Sequence, residues 1–186
     1  HLEYIQTEGS LVWKVPQNIA YEEAAALGGI GPHTAFQALY LRLAIPHPST
    51  PAASPSQSIF IYGGSTSVGL YAIQLAKLSG LNVITSCSPR NFDLVKSLGA
   101  TDAYDYSDAS NPAKIKAKYP TLALGFDCIA EKGSTAFLAQ SLGSNGGKIV
   151  TLLPVQPENR GGVANVVVES TLVYTVLGKD FDFPGW

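Results

Sequence analysis

The chain has 186 residues, 46% of them hydrophobic and 14% charged, enough apolar side chain to bury a core, which excludes disorder along its whole length. Twelve Lys and Arg against fourteen Asp and Glu leave a net charge of −2 with no basic run, so neither a nucleic acid nor an anionic membrane is an expected partner. No apolar run approaches the roughly 20 residues that span a bilayer, no signal-peptide plan opens the chain, and two cysteines cannot build a disulfide framework or a four-cysteine zinc site, so a cytoplasmic location is expected.

Short extended pieces are expected over 3–5 and 11–16. A helix follows over 22–27, with Glu22 and Glu23 in its first turn, where negative charge favours the helix dipole. A second helix is expected over 34–43. The stretch 46–56 carries four prolines and four hydroxyl residues and reads as a surface loop. A strand–helix rhythm then begins. The β-branched and aromatic run 58–62 predicts a buried strand, and Val68, Ala72, Leu75 and Ala76 share one face of a helix over 67–79. Strands are predicted over 82–86, 103–106, 122–129, 148–153 and 172–177. Helices are predicted over 91–98, over 112–119 with a proline near its start, and over 135–142. Strands alternating with helices imply an α/β fold, a doubly wound parallel sheet of about six strands. The division expected is a remnant of a preceding domain over 1–44, a Pro/Ser-rich loop over 45–57 and a Rossmann domain over 58–186.

The chemistry concentrates in Tyr62-Gly63-Gly64-Ser65-Thr66-Ser67-Val68-Gly69, between a strand and a helix. Gly64 is expected to take the tight turn and Gly69 to let the helix close on the strand. The amides of Ser65, Thr66, Ser67 and Val68 would face an anion at the helix N-terminus. The middle glycine of G-x-G-x-x-G is Thr66 here, which would push a pyrophosphate outward or bond to it. The plainer reading is an ordinary strand-to-helix turn. After the second strand, Thr85-Ser86-Cys87-Ser88-Pro89-Arg90-Asn91 carries no acid to hold a ribose 2′-hydroxyl. Its hydroxyls and guanidinium suit a 2′-phosphate, which favours NADPH over NADH. Tyr106 could bond to the same group, or simply pack. Arg90 could equally be a solvated surface charge.

Leu27-Gly28-Gly29-Ile30-Gly31-Pro32-His33-Thr34-Ala35, the 63–69 loop, Leu98-Gly99-Ala100-Thr101-Asp102, Phe126-Asp127-Cys128-Ile129 and Gly146-Gly147-Lys148-Ile149-Val150 occur in one order. In this the chain resembles the medium-chain dehydrogenases/reductases. Within them it is most similar to the zinc-independent quinone-oxidoreductase-like and fungal trans-acting enoyl reductase branch. The resemblance implies an NADPH-dependent reductase that transfers hydride to an activated C=C or a quinone. It implies that Thr34 lies near the nicotinamide and phosphates, and that Ser65, Thr66, Ser67 and Val68 touch the pyrophosphate. Ser86, Ser88, Arg90 and Tyr106 would form the 2′-phosphate site, with Ala130, Leu153 and Pro154 along the nicotinamide half. Thr34 could instead be a helix N-cap.

Related zinc enzymes place a cysteine four residues before the equivalent of Thr34. Ile30 stands there, and isoleucine cannot ligate metal. No metal site is therefore expected, and Cys87 and Cys128 read as buried inert thiols. His33 reads as a helix-start or surface histidine, with a cleft-facing role as the alternative. The partner implied is a small molecule or a carrier-bound acyl chain, and a homodimer could form through the last strand. Members of the superfamily carry a preceding substrate domain. A chain without it would be a cofactor-domain portion of a reductase, or a non-catalytic module that holds NADPH. No catalytic acid or base is identified.

Overall fold

A computed structural model describes residues 4–52, 57–178, 180 and 182. Six parallel strands form one sheet: β1 Ser58–Tyr62, β2 Asn82–Cys87, β3 Asp102–Asp105, β4 Leu124–Asp127, β5 Gly147–Thr151 and β6 Val166–Ser170. Their order is β3-β2-β1-β4-β5-β6. The helices are α1 Tyr21–Leu27, α2 Ile30–Phe36, α3 Ser67–Leu78, α4 Phe92–Ser97, α5 Asn111–Lys118 and α6 Ser134–Ser141. This is the expected doubly wound α/β architecture.

Alternation along β1 shows how the layers are divided. Ile59 and Ile61 join Ala35, Leu39, Ala72, Ile73, Ala76 and Val83 in the core beneath α2 and α3. Phe60 and Tyr62 turn the other way, to Ile84, Ile115, Leu138 and Ile149 beneath α5 and α6. Both faces of β1 are covered, which is why 59–62 reads as an unbroken apolar run. Each such fully buried aliphatic side chain contributes about 1.5–3 kcal/mol.

The helix expected over 34–43 begins earlier. Gly29 takes the N-cap position of α2, and Pro32 sits in the first turn, where its missing N–H costs nothing. The helix continues as a π-helical stretch over Gln37–Arg42, marked by the Leu43 N–H on the Ala38 carbonyl at 2.9 Å. Thr34 is therefore no N-cap. It lies inside α2, buried, and its hydroxyl donates to the Ile30 carbonyl at 2.7 Å.

The strand expected over 172–177 is a correction. The sixth strand is Val166–Ser170, and Val173–Leu177 is a 3₁₀ turn closed by Gly178 at φ 65°. Both segments are apolar and β-branched, but β5 has one free edge, and 166–170 occupies it in register. The chain leaves the sheet after the Thr171 N–H bonds to the Thr151 carbonyl at 2.9 Å. Gln37 then holds the exit, accepting from Thr171 Oγ1 and donating to Thr175 Oγ1, each at 2.6 Å.

The extended pieces expected near the N-terminus join no strand among the described residues. Gly9–Leu11 is a 3₁₀ turn, and position 3 lies outside the described residues. Of the Pro/Ser-rich loop, 53–56 lies outside them too. Ala52 is tied to the body by its N–H on the Ser79 carbonyl at 3.1 Å.

Candidate nucleotide-binding site

β1 pairs with β2 on one side and β4 on the other, so the strand order reverses between β1 and β4. A crevice opens at the carboxyl ends of strands wherever this happens. Register places Tyr62 beside Ser86 and beside Asp127, so the side chains at the mouth come from three different strands.

The loop after β1 turns at Gly63, whose φ is +81°, rather than at Gly64. Both amides donate to the Ser86 carbonyl, at 3.0 and 2.9 Å, which straps the loop across β2. Gly64 serves close approach instead: a Cβ there would run into Thr85 Oγ1 and Ile73 Cδ1. Gly69 has the expected role, since a Cβ there would strike the Gly63 carbonyl and stop α3 from closing on the loop.

Thr66 caps α3. Its hydroxyl donates to the Gly63 carbonyl at 2.8 Å and accepts from the Gly69 N–H at 3.0 Å. The Thr66 amide donates to the same carbonyl at 3.0 Å. The amides of Ser65, Ser67 and Val68 have no protein acceptor among the described residues and remain for a ligand at the helix N-terminus.

A cavity of 370 Å³ fills the mouth. Of the residues singled out from the sequence, it brings together Ser65, Thr66, Ser86, Ser88 and Tyr106. Ser86 is buried, and its Oγ has no hydrogen-bond partner among the described residues. Such an atom costs stability unless something else satisfies it. Tyr62 lines the same space. Burial, then the nearby Asp127 and Tyr106, push its phenol up to about 12. A second cavity, of 230 Å³, brings Ala130 and Pro154 together.

Other predicted residues lie outside both cavities. Arg90 is exposed on the 3₁₀ turn Pro89–Asn91, and Leu153 is exposed beyond β5. Ser67 and Val68 form the first turn of α3, and Gly64 underlies the loop. Thr34 is enclosed in α2. Cys87 lines the first cavity, and Cys128 lies in the core. Burial first, then Asp105 for Cys87 and Asp127 for Cys128, push both thiols up, in keeping with inert thiols.

Beyond β4 the sequence points to Ala130 alone; Asp127, Glu131 and Lys132 are further residues that the structure brings to this region. The fully buried Asp127 carboxylate accepts from the Ile129 and Ala130 amides at 3.0 and 2.9 Å, and from Ser134 Oγ and Thr135 Oγ1 at 2.7 and 2.6 Å. This fixes the chain over 129–135. Ala130 and Lys132 take positive φ, 59° and 52°, within it. Ile129, Glu131 and Lys132 line the first cavity from the side opposite Ser86. An acid ending a central strand, followed by Ser134 and Thr135 opening a helix, is the signal that could have found this loop.

A third cavity, of 510 Å³, lies among Trp13, Ile30, His33 and the 3₁₀ turn at Val173–Leu177. His33 is exposed there, with Nδ1 2.7 Å from the Gly29 carbonyl. Among the described residues, no three His, Cys, Asp or Glu side chains gather as a metal site would require. No described helix is long and apolar enough to cross a membrane.

A family model described as zinc-binding dehydrogenase matches residues 67–172. The trans-enoyl reductase ACTTS2 of Alternaria alternata is 40% identical over 97% of this chain and 54% of its own. The trans-enoyl reductase TOXD of Cochliobolus carbonum is 41% identical over 96% of this chain and 59% of its own. The chain thus spans little more than half the length of these relatives. Among solved structures, the CurK enoyl reductase superposes with a TM-score of 0.73 at 16% identity, covering 88% of this chain and 48% of that one, and supports the fold alone. The quinone oxidoreductase of Thermus thermophilus, described also in complex with NADPH, gives 0.64 at 26% identity, covering 89% and 50%.

Proposed function

Because the chain belongs to the zinc-binding dehydrogenase family of medium-chain dehydrogenases/reductases, and forms the cofactor-binding portion of that architecture, we propose that it binds NADPH across the β1/β4 crevice. The protein as a whole then reduces an enoyl C=C or a quinone. The observation that carries this reading is the unpartnered Ser86 hydroxyl, buried at the crevice beside a glycine loop with three free amides. A dinucleotide fits both features. The loop and the start of α3 hold its pyrophosphate, and Ser86, Ser88 and Tyr106 face its ribose end.

The preference for the 2′-phosphate rests on what ends β2. Ser86 and Ser88 offer hydroxyls, the segment carries no carboxylate, and Arg90 stands one turn further on. Ala130, Leu153 and Pro154 are assigned to the nicotinamide half. When bound, the cofactor supplies hydride from its nicotinamide ring. The chain's own part is to bind it and orient it across the crevice, where Tyr62 lines the cavity. The named relatives are reductases, which speaks for catalysis over a module that only holds the cofactor. We read the chemistry as zinc-independent because Ile30, exposed at the start of α2, takes the place of a ligating cysteine. The substrate assigned is a small molecule or a carrier-bound acyl chain, whose apolar body suits the cavity between Trp13 and the Val173–Leu177 turn. Cytoplasmic placement follows from the reading of an enzyme that draws on the cell's NADPH.

Calorimetric titration with NADPH and NADH tests the binding. NADPH binding at least about tenfold tighter than NADH, ~1.4 kcal/mol, is expected. Binding of neither overturns the reading. Turnover of an enoyl thioester and a quinone panel by the whole protein then identifies the acceptor.

The homodimer expected through 172–177 loses its strand there; we propose instead that β6, at the edge of the sheet, pairs with its copy in a second chain. Val167 is 61% exposed on it, and an open apolar edge invites such pairing. A sedimentation coefficient independent of concentration and equal to that of a monomer would overturn this.

A further inference from the structure

Among the described residues lining the first two cavities, the charged side chains are Glu131 and Lys132, and both line both. Arg90, the cation the sequence points to, lines neither. Lys132 thus stands between the cavity that holds the glycine loop and the one that holds Ala130 and Pro154. No carboxylate pairs with Lys132 among the described residues.

The backbone shows that this placement is held. Lys132 has φ +52° and Ala130 has φ +59°, a region that residues with a Cβ enter at a cost. Two such residues within three positions need the surroundings to enforce them. The buried Asp127 carboxylate does so, gripping the Ala130 amide at 2.9 Å on one side and Ser134 Oγ at 2.7 Å on the other. The Ser134 N–H on the Glu131 carbonyl at 3.0 Å closes the turn around Lys132 as well.

We propose that Lys132 is a dinucleotide-binding residue that neutralises the pyrophosphate from the side opposite the α3 N-terminus. The inference rests on the NADPH reading above and deepens it. An ammonium on a flexible stem acts as a point charge and suits a phosphate approached from solvent. Glu131 beside it cannot serve a phosphate, but it can accept from ribose hydroxyls. Because NADPH and NADH share the pyrophosphate, Lys132 contributes to affinity without choosing between them. That separates it from Ser88 and Arg90, which are assigned to the 2′-phosphate.

The test is titration of wild-type protein, K132N and K132R with NADPH and NADH at low and high salt. Asparagine tolerates positive φ, so K132N is expected to keep the wild-type melting temperature. It should bind both cofactors about tenfold more weakly, with their ratio unchanged, and its affinity should fall less steeply with salt. K132R should recover most of the loss. A loss confined to NADPH would place Lys132 on the 2′-phosphate and overturn the proposal. Unchanged affinity for both would overturn it while leaving the NADPH reading intact. Wild-type protein that binds neither cofactor would overturn both.

Discussion

Gly64 lies against Thr85 with no room for one added carbon: a Cβ at 64 would overlap the Thr85 hydroxyl, which donates to the Ile61 carbonyl at 2.7 Å. The contact sets how closely the nucleotide loop approaches β2. Gly64→Ala should cost about 1–3 kcal/mol through overpacking and shift the loop amides. Adding Thr85→Ala, which removes the struck oxygen, should recover part of that loss. Chemical denaturation of both single variants and the double variant measures the coupling. Strict additivity would show that the two residues do not meet.

Thr66 replaces the middle glycine of the usual motif, and its hydroxyl is spent inside the protein. Thr66→Ala should lose about 1 kcal/mol of stability because the α3 cap is gone. Thr66→Ser should retain it, and Thr66→Gly should lose only a few tenths of a kcal/mol. Thermal unfolding of the three variants checks the ranking.

Ser86 should separate stability from binding. Its hydroxyl has no partner among the described residues, so Ser86→Ala is expected to be neutral or slightly stabilising. Affinity for NADPH should nevertheless fall by about tenfold, the worth of one hydrogen bond in a buried site. Melting temperature with and without cofactor reads both effects. Equal destabilisation in both conditions would mean that the hydroxyl has a structural partner.

Acid should weaken the fold through two carboxylates at the β3 edge. The side-chain and backbone hydrogen bonds of Ser110, then that from Lys114, hold Asp108 down at about 2. At Asp102, burial raises the carboxyl, but hydrogen bonds from Lys118 and Tyr119 outweigh it and hold the group below its ordinary range. A carboxyl depressed in the folded state adds stability above its unfolded pKa and loses it as pH falls through the folded one. Stability should therefore drop between about pH 4 and pH 2. Asp108→Asn keeps the turn and removes the charge, so it should flatten that drop in denaturant titrations at the two pH values.

Much of this protein was legible in its residues because the signals were local. The unbroken apolar run at 59–62, the glycines at 63, 64 and 69 and the alternation of strands with helices announce a parallel sheet with an anion-binding turn. These depend on backbone sterics and side-chain period, which a short window contains. The tertiary structure alone decided which of two β-branched segments became the sixth strand, since only one free edge of β5 was available. It moved the turn from Gly64 to Gly63 and spent the Thr66 hydroxyl on a cap. It also left Arg90 outside the cavity and brought Lys132 to it, on the loop that leaves β4 and is held by the buried Asp127 at that strand's end. Strand pairing, close packing and the charge that faces a cavity join residues far apart in the chain, and no local pattern records which of them will meet.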